Sequence, residues 1–160
     1  MTTKQVTKKF GPYPAAHRQF THSGHCALVH GHNWHVEVTL GVSSDKHLDE
    51  NGFVFDFGKF GEFKDYLTHM LDHTLLISAL DPHLGSFVSM QEHGLCDLRV
   101  LECGTSAEHM AAMFAKELEE FLVRYYPPDA GFLRARVMKV TVYEDEKNSA
   151  TIDFTTPLSW

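Results

Sequence analysis

The chain has 160 residues, a hydrophobic content of 43% and a formal net charge of −7. Its length predicts a single domain over residues 1–160 with one buried core, and its negative charge disfavours non-specific nucleic-acid binding. No apolar run approaches the roughly 18 residues that cross a bilayer. The N-terminus, MTTKQVTKKFGPYP, lacks the apolar core of a secretory signal, so we expect a cytoplasmic protein.

The first half of the chain predicts two strands and a helix. Residues 7–20 predict a strand, which Pro12 and Pro14 mark as an edge strand or a bulged one. Residues 30–42 are the clearest strand, and a polar loop follows them. Asp56 can cap the helix that comes next. The apolar face of this helix consists of Phe60, Phe63, Leu67, Met70 and Leu71.

The second half predicts an irregular segment, a helix and a closing hairpin. Residues 77–104 are long for a connection, so they hold a short strand at Leu98–Leu101 or have a function of their own. Thr105 and Glu108 form a capping-box pattern at the start of the second helix. Residues 135–144 and 149–154 predict a hairpin. The order β-β-α-α-β-β is satisfied most simply by an α+β fold with two helices on one face of an antiparallel sheet.

A histidine pattern in the second predicted strand indicates a metal site. Residues i and i+2 of a strand project from the same face, so His30 and His32 point the same way. His17, in the neighbouring strand, is the candidate third ligand. Three imidazoles with an open fourth position are typical of catalytic zinc. The alternative is that His30 and His32 are polar residues on the outer face of a half-exposed strand.

Four further groups can carry acid–base chemistry or bind a ligand. Cys26 is one of three cysteines without disulfide spacing. If it lies beside a dication, its thiol favours the thiolate form and can act as a base. The alternative is that Cys26 is a small buried hydrophobic residue. Asp72 and His73 form an acid–base pair or simply place a cation at a helix end. Glu144 ends a strand, where its carboxylate can bind a ligand amidine or remain solvated.

Five motifs in register resemble the 6-pyruvoyltetrahydropterin synthase / 6-carboxytetrahydropterin synthase family. They are YPAAHRQ, similar to F-x-A-A-H-x-L; CALVHGHNW, similar to C-x3-H-G-H-x-aromatic; LDHTLL; TSAEH, similar to T-x-E-N; and VTVYE, similar to V-x-V-x-E. They cover residues 13–154 in the family's order. The three-residue gap between Cys26 and His30 resembles the bacterial carboxy-forming enzymes of queuosine biosynthesis, whereas animal pyruvoyl synthases tend to have a longer gap.

The resemblance implies a T-fold, a four-stranded antiparallel sheet with two helices, that assembles into a homo-oligomer with pterin sites between subunits, commonly a hexamer. It implies that zinc binds His17, His30 and His32, that Cys26 is the base, and that Asp72 and His73 form the relay. By the same resemblance Glu144 anchors the pterin, and Thr105 and Ser106 lie beside it. The substrate would be 7,8-dihydroneopterin triphosphate, with Arg18, Lys8 and Lys9 as candidates to hold its triphosphate.

Three alternatives remain open. A 6-pyruvoyltetrahydropterin synthase would use the same site and substrate but retain the side-chain carbons. A zinc hydrolase would use metal-bound water and would not need Cys26. A non-catalytic pterin- or metal-binding module would bind both without turnover, but binding alone has little need for a base and a relay.

Overall fold

The computed structural model describes residues 3–126 and 135–155. The strands in this part are β1 (Lys4–His17), β2 (His30–Val42), β3 (Thr74–Ser78), β4 (Leu98–Leu101), β5 (Arg136–Tyr143) and β6 (Ser149–Asp153). The α-helices are α1 (Gly61–Leu71), α2 (Leu84–Glu92) and α3 (Ala107–Tyr125). None of these helices is both long and apolar enough to span a membrane.

The six strands form one sheet in the order β4-β3-β1-β2-β5-β6. The pairs β1–β2, β2–β5 and β5–β6 are antiparallel, as the sequence predicts. The pairs β1–β3 and β3–β4 are parallel and extend the sheet at one edge. The α+β class is therefore confirmed. The predicted four-stranded sheet and the β-β-α-α-β-β order are incomplete, because the order is β-β-α-β-α-β-α-β-β.

The additional elements place helices on both faces of the sheet. In β3, Leu76 joins the main core together with α1 and α3. Leu75 and Ile77 instead pack with Phe87 of α2 in a separate cluster, because successive strand residues point to opposite faces. All five residues of β3 are buried, as is typical of a parallel strand covered on both faces. The prediction of two helices on one face is correct for α1 and α3 and misses α2.

Strand β1 lies in the middle of the sheet, so its predicted edge position is wrong, but the predicted bulge is present. The register against β2 shifts between Phe10 and Tyr13, and Pro12 lies within that irregularity, where a strand hydrogen bond is already missing. Gly11 beside it has a φ of +106°, and a Cβ there would lie 2.6 Å from the Trp34 carbonyl oxygen. The bulge therefore requires glycine.

The helix caps follow the sequence with one difference. Asp56 accepts a hydrogen bond from the Gly58 amide and caps a short 3-10 turn that leads into α1. Helix α3 is capped by Ser106, whose hydroxyl accepts from the His109 amide, and not by Thr105. The Thr105 hydroxyl instead donates to the Arg18 carbonyl oxygen at 2.6 Å. Thr105 thereby joins the start of α3 to the end of β1.

Candidate metal centre and adjoining cleft

The three predicted histidines meet at one end of the β1–β2 pair. His17 lies opposite His30 in the antiparallel register, and His32 lies opposite Ala15. One ring nitrogen of each imidazole lies within 4.8 Å of the others. The Nε2 atoms of His17 and His30 are 3.1 Å apart. Strand pairing alone therefore brings all three candidate ligands together.

Trp34 packs its ring against two of the imidazoles. Its side chain is fully buried, and its ring centroid lies 5.0 Å from that of His17 and 5.0 Å from that of His32. The indole N–H donates to the Ala15 carbonyl oxygen at 3.2 Å, across the same strand pair. Sequence reasoning assigned Trp34 no role, although it directly follows the HGHN segment. A buried aromatic with its one donor satisfied restricts the rotamers of the neighbouring imidazoles.

Backbone carbonyls fix the tautomers of two ligands. The Nδ1–H of His17 donates to the Thr105 carbonyl oxygen at 2.8 Å, and that of His30 donates to the Leu28 carbonyl oxygen at 2.8 Å. Neutral rings that donate from Nδ1 keep Nε2 free as a lone-pair donor. Metal-ligating histidines commonly make this outer hydrogen bond, which orients the ring and raises its basicity as a ligand.

Burial keeps His17 in the protonation state that binds metal. His17 is 1% exposed, and its pKa is lowered to about 4, chiefly by desolvation and further by the neighbouring His30 and His32. The hydrogen bond to Thr105 acts in the opposite direction. At neutral pH His17 is therefore uncharged, as ligation requires.

This donor set fits a zinc ion. Zinc–nitrogen bonds of 2.0–2.1 Å in tetrahedral geometry place two imidazole nitrogens about 3.3 Å apart. The 3.1 Å separation between the Nε2 atoms of His17 and His30 is close to that value. Three histidine ligands leave a fourth position open, which is the arrangement of catalytic zinc.

Asp72 and His73 make the contact that adjacency in sequence could not guarantee. Helix α1 ends at Leu71, and the His73 Nδ1–H donates to Asp72 Oδ1 at 2.8 Å. His73 has a left-handed φ of 58°, and its amide donates to the Pro14 carbonyl oxygen at 2.7 Å. Non-glycine residues rarely adopt this conformation, which carries strain and often occurs at functional sites. The Pro14 contact holds His73 against β1.

A cleft of about 480 Å³ contains both His73 and a candidate metal ligand. Its lining residues are Pro14, Ala15, Ala16, Gly31, His32, Asn33, His73 and Thr74. Gly31 has no side chain, so the space that its Cβ would fill is part of the cleft. The nearest backbone atom lies 3.5 Å from that Cβ position. His73 of the acid–base pair and His32 of the histidine cluster therefore line one open space.

Cys26 lies in the segment between β1 and β2. It occupies a single 3-10 turn, His25–Ala27, and is partly buried. Its carbonyl oxygen accepts from the Gln19 amide at 2.7 Å, which closes the loop leading to His30. In the part of the chain that the structure describes, its thiol makes no hydrogen bond.

The three predicted pterin-contacting residues differ in how many of their polar groups are already used in hydrogen bonds within the chain. Thr105 is 1% exposed, and its hydroxyl and carbonyl oxygen already bind Arg18 and His17. The Ser106 hydroxyl caps α3 and lies 2.9 Å from His109 Nδ1. Glu144 directly follows β5, where its amide donates to the Asn148 carbonyl oxygen within the closing hairpin. The Glu144 carboxylate makes no ion pair with a described residue.

The basic residues that are candidates for triphosphate binding make contacts with other residues of the chain. Lys8 donates to the Phe57 carbonyl oxygen at 2.8 Å, and Lys9 lies 4.1 Å from the centroid of the Tyr143 ring. Both precede His17 on β1 by eight or nine residues, about 25–30 Å of strand. Arg18 adjoins His17 but forms an ion pair with Asp81. The two lysines are therefore too distant to share a small substrate with the histidine cluster of their own chain.

Comparison with known proteins places the chain in a family. The family model described as 6-pyruvoyl tetrahydropterin synthase matches residues 5–154. The chain belongs to this family and is a lyase of the pterin-synthase type. The resemblance carried by the five sequence motifs is thereby confirmed.

Curated relatives carry a more specific name. The chain is 28% identical over 107 residues to 6-carboxy-5,6,7,8-tetrahydropterin synthase from Rickettsia bellii, covering 66% of this chain and 74% of that protein. It is 28% identical over 127 residues to the protein of the same name from Aquifex aeolicus, covering 78% of this chain and 74% of that protein.

Solved structures show the same fold. An uncharacterized protein from Wolinella succinogenes has a TM-score of 0.80 at 19% identity, over 96% of this chain and 99% of that chain. The 6-pyruvoyl tetrahydropterin synthase from Caenorhabditis elegans has a TM-score of 0.61 at 20% identity, over 97% of this chain and 98% of that chain.

Proposed function

We propose that the chain converts 7,8-dihydroneopterin triphosphate into 6-carboxy-5,6,7,8-tetrahydropterin, releasing acetaldehyde and triphosphate and consuming water. The observation that carries this proposal is the cluster of three histidines beside a cleft that also contains His73. A reaction that moves protons along a hydroxylated side chain needs an electrophilic centre and proton-transfer groups within reach of one substrate. The two curated relatives named above support the carboxy-forming reaction.

His17 and His30 would hold Zn²⁺ through their Nε2 atoms, and His32 would hold it through a ring nitrogen. When bound, zinc polarises the hydroxyl groups of the substrate side chain and so acidifies the adjacent C–H. The chain contributes an arrangement that needs little rearrangement to accept the ion. Two outer hydrogen bonds set the tautomers, and Trp34 packs against two of the rings.

Cys26 and the Asp72–His73 pair would move the protons. The Cys26 thiolate would remove the proton from the acidified carbon. Asp72 holds the Nδ1–H of His73, which leaves His73 Nε2 as the nitrogen that exchanges a proton with the substrate. A base and an acid on separate elements allow one proton to be removed while another is returned elsewhere on the side chain.

Glu144 would fix the pterin ring through its 2-amino and N3 edge, where a carboxylate can accept two parallel hydrogen bonds. Ser106 and the backbone near Thr105 would lie beside the ring. We extend the proposal to a single T-fold domain over residues 1–160 that forms a homo-oligomer, a hexamer by family resemblance, with sites between subunits. The product would serve queuosine biosynthesis in the cytoplasm.

Product analysis tests the proposal. The zinc-loaded protein is incubated with 7,8-dihydroneopterin triphosphate, and triphosphate, acetaldehyde and pterin products are measured by mass spectrometry. We expect acetaldehyde and 6-carboxytetrahydropterin in equal amounts. Triphosphate release without acetaldehyde would instead identify a 6-pyruvoyltetrahydropterin synthase. Zinc and pterin binding without any turnover would overturn the enzymatic assignment and support a binding module.

A further inference from the structure

A buried ion pair lies next to the candidate metal centre. Asp81 Oδ2 and Arg18 Nε approach to 3.1 Å, although the N–H is not aligned for a hydrogen bond, so the attraction is mainly ionic. The Asp81 side chain is 0% exposed and that of Arg18 is 17% exposed. Charged groups are rarely buried to this extent unless they are paired. The proposed proton-transfer steps use neither residue.

The two partners follow neighbouring strands of the sheet, β1 and β3. Arg18 directly follows β1 and the ligand His17, and its guanidinium lies 5.9 Å from the Phe87 ring of α2. Asp81 follows β3, and its Oδ1 accepts from the His83 amide in the turn that leads into α2. The pair therefore attaches the end of β1 to the residue 77–104 segment on the opposite face of the sheet.

The same stretch of β1 is attached to the metal-ligand face. The Arg18 carbonyl oxygen accepts from the Thr105 hydroxyl at 2.6 Å. The carbonyl oxygen of Thr105 in turn accepts from His17 Nδ1 at 2.8 Å. A displacement of Arg18 would therefore shift the Thr105 carbonyl group that orients His17, as well as the backbone of His17 itself.

We propose that the Arg18–Asp81 ion pair is a positioning device for the metal centre, which holds the end of β1 so that His17 and the Thr105 carbonyl group keep the ligating geometry. The inference rests on the metal site of the proposed function. It assigns a role to the residue 77–104 segment, whose turn at Asp81 braces a ligand strand. It also assigns Arg18 to positioning and not to triphosphate binding, because its charge is neutralised by a buried carboxylate.

Metal binding without substrate tests the proposal. Asp81→Asn keeps the side-chain shape and removes the charge. We expect its Zn²⁺ affinity, measured by competition with a chromophoric chelator, to fall by up to about 10-fold, the lower end of the 10–100-fold loss that is typical for a direct outer partner, because Asp81 acts on His17 only through Arg18 and Thr105. The visible absorption bands of the Co²⁺-substituted protein, which report ligand geometry, should change in position or intensity. A folded Asp81→Asn variant with wild-type affinity and an unchanged Co²⁺ spectrum would overturn the proposal.

Two controls separate positioning from general loss of stability. Asp153→Asn breaks the more exposed Lys139–Asp153 pair on the far side of the sheet and should leave both readouts unchanged. Leu118→Ala truncates a fully buried side chain of α3 and should lower the melting temperature without changing the Co²⁺ spectrum. If Leu118→Ala changed the spectrum as much as Asp81→Asn does, the pair would have only a structural role and the proposal would fail.

A second variant covers the case in which Asp81→Asn does not fold. Arg18→Met with Asp81→Leu removes both charges and leaves no unpaired buried ion, a replacement that proteins often tolerate. We expect this variant to fold with weakened zinc affinity, and wild-type affinity would overturn the proposal. These zinc-affinity and Co²⁺ measurements use no substrate and are therefore independent of the product assay. If the wild-type protein bound zinc but showed no turnover in the product assay, the proposed reaction would be contradicted and the positioning role would remain intact.

Discussion

The candidate metal ligand His17 and the proposed proton-transfer pair Asp72–His73 differ in how firmly the chain holds them. His17 is 1% exposed, and its ring is held by the Thr105 carbonyl group and packed against Trp34. The His73 side chain is 81% exposed and is held by Asp72, which is itself 41% exposed. The strands and the core fix His17, whereas the Asp72–His73 pair lies at the surface.

This difference reflects what each group has to do. A metal site gains affinity when its ligands already have the required geometry before the ion arrives. A proton-transfer group must meet the substrate, so it has to remain accessible, and water is excluded only when the site closes. In the proposed function the substrate and a neighbouring subunit would provide that closure around His73.

The largest effect is expected from removing one member of the metal site. His30→Ala should weaken zinc binding by about 10²–10³-fold, because about 10–16 kcal/mol for a structural zinc with four protein ligands corresponds to about 2.5–4 kcal/mol for each ligand. Turnover at limiting zinc should be abolished. Isothermal calorimetry and the product assay measure both. His35→Ala on the same strand is the control, and equal losses in the two variants would contradict the site.

Loss of the proposed base should affect turnover and spare the metal. Cys26→Ser should lower the rate of triphosphate release by about 10²–10⁴-fold, the usual contribution of general acid–base catalysis, with zinc affinity unchanged. Cys103→Ser is the matched control, because burial raises the pKa of the Cys103 thiol and keeps it protonated. A Cys26→Ser variant with wild-type turnover would refute the assignment of the base.

His73 should show opposite effects on stability and on activity. His73→Gly relieves the left-handed conformation, so the free energy of unfolding in denaturant should rise by about 0.5–1 kcal/mol. Loss of the imidazole should lower kcat by about 10²-fold. His73→Asn, which tolerates this conformation, should lose activity with a smaller gain in stability. A less stable His73→Gly variant would show that the imidazole is structural.

The smallest effect is expected at the proposed pterin anchor. Glu144→Gln retains one acceptor oxygen and loses the charge, so KM for the substrate should rise about 10-fold while the melting temperature stays unchanged. Steady-state kinetics measure the change. Glu146→Gln in the same hairpin is the control. If Glu144→Gln lowered kcat alone, Glu144 would act in the chemistry and not in ring binding.

The sequence predicts those parts of the fold in which apolar periodicity is strong. The apolar faces of α1 and α3 and the pattern of β2 led to the correct elements. Helix α2 was missed, because its nine residues begin without a side-chain cap and bury only Phe87. Strand β3 was missed because a short run of apolar residues has no period that distinguishes a buried strand from the end of a helix.

The candidate site was predictable where local geometry alone brings side chains together. The H-G-H spacing places two imidazoles on one face, and pairing of β1 with β2 adds His17. The roles of Trp34, the Thr105 carbonyl group and Asp81 were not predictable, because their contacts cross 19 to 88 residues of sequence or join opposite faces of the sheet. The cap at Ser106 instead of Thr105 frees the Thr105 hydroxyl for the end of β1.

The most direct test of the account removes the metal and restores it. The protein is treated with a chelator and freed of it, and triphosphate release from 7,8-dihydroneopterin triphosphate is followed as Zn²⁺ is added. We expect no turnover without metal and full recovery at one zinc ion per chain, with no recovery in His30→Ala at the same zinc concentration. Metal-free protein that turns over at the zinc-loaded rate would contradict the central role of the three histidines.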